Sequence, residues 1–114
     1  MAVAPAIYNI RPQRRADYPL TLKFRDAAGV VMNLTGWTVL ASVWQTDRSA
    51  KIGDFTVTVA TPTNGEVALT LPYTVTAVLP SEARWDVMLV APSGLREYYV
   101  EGIVRPSEGY TVPA

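Results

Sequence analysis

Histidine and cysteine are both missing from this 114-residue sequence, so the side chains left for acid–base or metal chemistry are carboxylates. The candidates among them are Asp17, Asp26, Asp47, Asp54, Asp86, Glu97 and Glu101. Without His or Cys there is no Ser-His or Cys-His nucleophile pair and no histidine-bound zinc. A glycosidase holds two carboxylates across a cleft, usually on a larger scaffold. Here most of them fall at turns or on the polar sides of strands, where carboxylates cap turns and keep edges soluble. Calcium asks for several oxygen ligands within one short loop, and Thr46-Asp47-Arg48-Ser49 offers a single carboxylate. The expectation is a protein with no catalytic residue, cofactor or metal site, one that works by binding.

For binding, the informative side chains are aromatic and cationic. Trp37, Trp44 and Trp85 all lie in strand-like runs, where core packing is the default. Trp37 and Trp44 are seven residues apart on one strand, however, so they point to opposite faces and cannot share a core. Trp44 is therefore a candidate for an interface or a stacked ligand. Tyr98-Tyr99 raises the same question: if Tyr98 packs inward, Tyr99 is outward and available as an interface anchor. Eight of the ten cations are arginine, with Arg14-Arg15 the adjacent pair. Arginine is favoured at interfaces because its planar fork pairs bidentately and stacks on rings.

Charge narrows the class of partner. Ten Lys and Arg balance ten Asp and Glu, for a formal net charge of zero. A nucleic-acid binder usually carries a basic excess on one face, and no polybasic segment is present to meet a membrane surface. No stretch approaches the roughly 20 apolar residues that span a bilayer. The opening MAVAPAIYNI has no charged region followed by a long apolar run, so no secretory signal is expected.

The elements that must position these residues read as short strands. Residues 1–12 are apolar and proline-flanked, which forbids a helix and suits an extended segment. Its candidate contacts are Ile7, Tyr8 and Ile10, made either with its own domain as a first strand or with a neighbouring subunit as an added one. From residue 18 the period is two, with Leu20, Leu22 and Phe24 on one face and Thr21, Lys23 and Arg25 on the other. Asp26-Ala27-Ala28-Gly29 reverses the chain, and residues 30–34 return as a short strand. Residues 37–46 form the longest strand; apolar groups on both faces predict that it is central or covered on both sides. Residues 46–54 read as a loop and 55–60 as the next strand. Asn64-Gly65 predicts a type I′ hairpin turn, returning through 66–71. The proline-bounded stretch 72–80 is one helical turn or an extended crossover. A closing hairpin joins 84–91 to 95–105 through Pro92-Ser93-Gly94, with Tyr98, Val100, Gly102 and Val104 in register. This predicts an all-β protein, an immunoglobulin-like or jelly-roll-like antiparallel β-sandwich of seven to eight strands. Its parts are an arm over 1–12, one domain over 13–105 and a tail over 106–114.

These runs also carry a family resemblance. RRADYPLTLKFRDAAGVVMNLTGWTVLASV resembles the N-terminal domain of phage baseplate upper proteins and related small virion proteins. In that family a charged or Gly-Asp lead precedes an alternating strand, an Asp-x-x-Gly turn and a Leu-Thr-Gly-aromatic corner. The corresponding residues here run from Arg15 to Asp17, then over 18–25, Asp26 to Gly29, and Leu34 to Trp37. NGEVALTL is similar to the family's Gly-x-Val/Leu-x-Leu strand, and ARWDVMLVAPSGLREYYVEGIVRP to its closing hairpin. The lead is Ala16-Asp17 rather than Gly-Asp, and family members generally continue into a fibre or coiled coil, whereas this sequence ends at Ala114.

The resemblance implies an isolated attachment domain of a virion, held in many copies by other virion proteins and by like subunits in a symmetric assembly. Its site is then an interface, with Ile7, Tyr8, Ile10, Arg14, Arg15, Trp44 and Tyr99 as the candidate residues. The alternatives are a carbohydrate-binding module that meets a host glycan during adsorption, and a capsid decoration protein. Neither nucleic acid nor membrane is an expected partner.

Overall fold

The computed structural model describes residues 6–26 and 28–108, with 60 and 61 described by their backbone alone. Residues 1–5 of the predicted arm, Ala27 of the predicted turn and 109–114 of the predicted tail lie outside that range.

Among the described residues eight strands form two sheets. The larger has the order β1 (Ala6–Ile7), β8 (Arg96–Val104), β7 (Ala83–Val90), β3 (Thr38–Gln45) and β4 (Lys51–Asp54). The smaller runs β2 (Tyr18–Lys23), β6 (Glu66–Leu71) and β5 (Thr56–Thr61). Every pairing is antiparallel except β1 on β8. Both sheets feed one core, because alternate residues of each strand are large and apolar. Val39, Ala41 and Val43 of β3, Trp85, Val87 and Leu89 of β7, and Val67, Leu69 and Leu71 of β6 are all buried in it. Leu20 and Leu22 close it from β2, half-buried, while Thr21 and Lys23 stand in solvent. The protein is all-β and sandwich-like, as its periodicity predicts.

Four local expectations change. Residues 30–34 form no strand; their ladder pairing is a single bridge, Arg25 to Val31, while Leu34 is buried in the core and its N–H donates to the Pro62 carbonyl. The predicted loop over 46–54 instead ends in β4, which pairs with β3 at the sheet edge. Asn64-Gly65 does not make a two-residue turn. Pro62 fixes φ for a 3-10 turn over Pro62–Asn64, and the hairpin closes through four residues with only Gly65 left-handed, at φ 67°. A side chain at Gly65 would meet the Phe24 and Met32 carbonyl oxygens at 2.6 and 2.9 Å, so the turn tolerates glycine alone. The proline-bounded stretch is one helical turn, α1 (Tyr73–Thr76), seated by Asp17, whose Oδ1 accepts the Tyr73 N–H at 2.8 Å.

The fourth change is a β-bulge. Between Val87 and Met88 the register against β8 shifts by one, so Val87 faces Val100 while Met88 faces Tyr98. The extra residue flips side-chain parity on β8. Val100, Gly102 and Val104 point to the core as predicted, but Tyr98 points out, 46% exposed. Tyr99 turns in, edge-on to Phe24 with ring centroids 6.0 Å apart.

Candidate functional site

The outer face of the larger sheet is where the sequence and the register place an unusual set of side chains. β3 is flanked by β7 and β4, yet its outward side is open: Leu40 is 52% exposed. This explains the apolar groups on both faces of that strand without a second covering layer. Reading the ladders across β3, β7 and β8 gives three outward rows. Leu40, Met88 and Tyr98 make an apolar row. Ser42, Asp86 and Glu101 make a polar one, and Trp44, Arg84 and Ile103 a third. Cross-strand neighbours on one face sit about 5 Å apart, so each row is a contiguous strip.

The β3 and β7 members of these rows, with Tyr98 from β8, floor a groove of about 320 Å³ that Gln45, Thr46 and Arg48 also line; Glu101 and Ile103 are not part of its lining. Arg48 closes one end. It follows the β3 strand in a turn, its N–H donating to the Gln45 carbonyl, and its backbone is left-handed at φ 61°. That conformation costs a non-glycine residue about 1 kcal/mol. The turn holds because Asp47 Oδ1 accepts the Ser49 N–H at 2.9 Å, and the Arg48 guanidinium lies over the Trp44 ring, 5.1 Å from its centroid.

The electrostatics of the middle row are unfavourable. Asp86 and Glu101 are directly opposed on β7 and β8, where like charges destabilise a ladder. Partial burial pushes the Asp86 carboxyl above the ordinary aspartate range, the Glu101 charge pushes it further, and Arg48 pulls weakly the other way. At the neighbouring position Asp54 is lowered, chiefly because the Ser42 hydroxyl donates to its Oδ1 at 2.6 Å, with Lys51 in ion-pair contact at 3.2 Å. Removing the Asp86 charge should therefore stabilise the fold. A carboxyl whose folded pKa is raised binds its proton more tightly in the native state, so stability falls as pH climbs from the unfolded aspartate value through the raised one. Asp86→Asn is expected to gain about 0.5 kcal/mol at pH 7, the scale of one like-charge cross-strand pair, and nothing below pH 3.5, by urea denaturation at both pH values. Equal effects at the two would show that Asp86 and Glu101 are not coupled.

The remaining predicted contacts are distributed elsewhere. Ile7 is 70% exposed and shares the outer face, next to Glu101 in the parallel register. Tyr8 is exposed but leans edge-on against Trp85, ring centroids 6.2 Å apart. Ile10 is not a surface contact at all: at 3% exposure it belongs to this chain's own core, and its N–H donates to the Ile103 carbonyl. Arg14 and Arg15 are drawn together by Glu108, at 3.2 and 2.9 Å. Arg14 also donates to the Leu79 carbonyl, so the adjacent pair ties residue 108 to the start of the domain. Tyr99, expected outward, packs inward with its hydroxyl pKa raised by burial and by Glu97. On the same stretch Glu97 lies opposite buried Leu89 and keeps one carboxylate oxygen out of solvent with no hydrogen-bond partner among the described residues.

Of the predicted set, Trp44 belongs to the groove and Ile7 to its flank. Met88, Leu40, Arg48 and Arg84 are not among the predicted contacts, and Tyr98, expected in register with Val100, lines the groove. Strand parity alone points Leu40, Arg84 and Met88 outward; Tyr98 needed the bulge. Chemically the groove presents Arg48, Arg84 and Asp86 as its charged groups beside the apolar surface of Leu40, Trp44, Met88 and Tyr98. Among the described residues no three metal-ligating side chains are grouped, and no helix is long and apolar enough to cross a membrane. No protein-family model matches the chain, and no curated protein matches its sequence.

Proposed function

We propose that this chain is a structural component of a bacteriophage virion, an immunoglobulin-like assembly module of the tail, baseplate or fibre-attachment region. It acts through protein–protein contacts with other virion proteins and with copies of itself. The observation that carries this is the open outer sheet face, where Trp44, Tyr98, Met88, Arg48 and Arg84 converge on one groove. Tryptophan, tyrosine, methionine and arginine are the residue types enriched at protein interfaces. The resemblance of residues 14–43, 64–71 and 83–106 to baseplate upper proteins supplies the setting.

A second reading, a glycan-binding adsorption module, is favoured by one feature of the same groove. Trp44 and Tyr98 both line it alongside Asp86, and exposed rings beside a polar anchor are what a sugar stacks upon. A capsid decoration protein would use the same face in another part of the particle.

Particles assembled with a Trp44→Ala, Tyr98→Ala chain test the assembly reading. Quantitative mass spectrometry of purified virions should show incorporation reduced at least about tenfold, the effect of losing one interface anchor. Normal incorporation with loss of binding on a glycan array would transfer the groove to the second reading. Normal incorporation with no glycan bound by the unaltered chain would remove both.

A further inference from the structure

We infer that the free edge of β3 over residues 38–41 is an acceptor site for an extended segment of a partner protein, which adds to the larger sheet by main-chain pairing. This deepens the assembly reading, on which it rests for the existence of a partner, and it places a second contact away from the outer-face groove.

β3 is an interior strand for only part of its length. β7 pairs with it from Thr38 to Gln45, but the β4 ladder covers Ser42 to Trp44 alone. After Asp54 the chain leaves the larger sheet and crosses to β5 in the smaller one. Alternate residues of a strand direct their backbone groups to opposite neighbours. The Gln45 N–H donates to the Ala50 carbonyl and the Ala41 carbonyl accepts from the Phe55 N–H, each at 3.0 Å, so the odd-numbered residues of β3 face the β4 side. That parity directs the Val39 N–H, the Val39 carbonyl and the Ala41 N–H past the end of β4, with no ladder partner among the described residues.

The space beside these groups fits a strand. A cavity of about 510 Å³ is lined by four consecutive residues of β3, Val39 to Ser42. Consecutive residues face opposite sides of a sheet, so the cavity lies along the strand's edge rather than on either face. Its wall toward the smaller sheet is apolar, with Phe55 buried and Val57 half-buried. Its charged groups, Lys51 and Asp54, are already paired with each other at 3.2 Å. Charge therefore selects no ionic ligand. What stays unmatched is backbone, and the complement of a donor, acceptor, donor row at strand spacing is another extended chain. Four residues of edge span about 13 Å, and alternate apolar side chains of the added segment cover Phe55 and Val57.

The other edges are guarded against such addition. β2 carries Pro19 and Lys23, β1 is two residues long, and the pairings of β4 and β5 are broken by register shifts, all features that deter strand pairing. Thr38-Val39-Leu40-Ala41 has no charge and no proline, and its register on β7 is unbroken.

Hydrogen exchange of the intact chain, read by NMR, tests the edge without a ligand and then with one. In the chain alone the Leu40 and Ser42 amides, directed to β7, should be protected, and those of Val39 and Ala41 should exchange at least about tenfold faster. The probe is acetyl-Lys-Thr-Val-Thr-Val-Thr-Lys amide, because main-chain pairing tolerates sequence. At ten times its dissociation constant it should slow exchange at Val39 and Ala41 about tenfold and leave Leu40 and Ser42 unchanged. Two N-methylated probes, one blocked at its valine amides and one at its threonine amides, present opposite edges, and one of them should lose binding. Val57→Lys, which sets a charge in the cleft, should weaken the probe at least about tenfold while Leu40 protection reports an intact sheet. Val39 and Ala41 as protected as Leu40 in the chain alone would overturn the proposal. Protection rising with protein concentration would make the occupant a second copy, and protection independent of it would make it this chain's own backbone. Binding that survives both N-methylations would overturn it too, since the contact would not be main-chain pairing. If the probe leaves Val39 and Ala41 exchanging freely but Trp44→Ala, Tyr98→Ala still blocks incorporation, assembly stands and the edge assignment falls.

Discussion

Trp85→Ala is expected to destabilise the protein by about 3–5 kcal/mol, the range for deleting a large buried aromatic, which is a large fraction of the 5–15 kcal/mol typical of a small domain. Trp85 is 2% exposed and does three jobs from the middle of the larger sheet. It packs against Phe55, ring centroids 5.5 Å apart, and meets Tyr8 edge-on. Its indole N–H donates to the Tyr8 carbonyl at 2.7 Å, fastening the N-terminal strand to the body. Alanine leaves a cavity between the sheets and strips a hydrogen bond from the Tyr8 carbonyl, so the transfer and cavity effects act together. Trp85→Phe separates them: it keeps much of the packing, loses the indole N–H, and should cost about 1–3 kcal/mol, the cost of leaving one buried polar group unmade. Urea denaturation followed by far-ultraviolet circular dichroism reads both. A Trp85→Ala midpoint within about 1 kcal/mol of the parent would mean that the site collapses to fill the void and that Trp85 is not the keystone its burial implies.

The parts of this fold that are legible in the sequence are those governed by a local rule. Leu20 and Leu22 alternate with Thr21 and Lys23, and Trp85, Val87 and Leu89 with Arg84, Asp86 and Met88, so β2, β7 and most of β3 follow from period two. What was not legible depends on partners distant in sequence. Lys51-Ile52-Gly53-Asp54 has no alternating pattern; it becomes a strand because β3 offers Ser42 to Trp44 as a template. The shift between Val87 and Met88 adds one residue to β8, and nothing in Arg96 to Val100 announces where parity changes, so the Tyr98 and Tyr99 orientations were reversed. The groove was half-visible for the same reason. Trp44 could be found because it opposes Trp37 on a single strand. The facing of Asp86 with Glu101 required the pairing register of two strands, and Arg48 reaches Trp44 only because a left-handed turn folds it back. Local alternation identifies which faces exist; register decides which charges meet on them.

Gly102→Ala carries the second large effect, and it bears on the N-terminal segment as well as on stability. A Cβ at Gly102 would lie 1.9 Å from the Tyr8 carbonyl oxygen, 2.6 Å from its carbonyl carbon and 2.9 Å from the Trp85 indole nitrogen. The first two are backbone atoms, so no rotamer change relieves the clash, and β1 must leave its seat on β8. Leaving breaks the Tyr8 N–H to Glu101 and Ile10 N–H to Ile103 hydrogen bonds, removes the acceptor of the Trp85 indole, and exposes Ile10 from the core. The expected cost is about 3 kcal/mol, at the upper end for overpacking a close contact. Hydrogen exchange should show Tyr8 and Ile10 unprotected while the amides linking β3 to β7 stay protected, since the backbone bonds of that ladder do not involve the displaced segment. Wild-type protection at Tyr8 and Ile10 would show that the strand does not sit over Gly102. Under the proposed assembly role, incorporation into particles then distinguishes two uses of the same residues. If the segment serves only to complete its own sheet, Gly102→Ala particles should lose the chain in proportion to its instability. If Ile7 and Tyr8 serve a neighbouring subunit, displacement from the home sheet leaves them free to do so, and incorporation should survive a substitution that the isolated chain tolerates poorly.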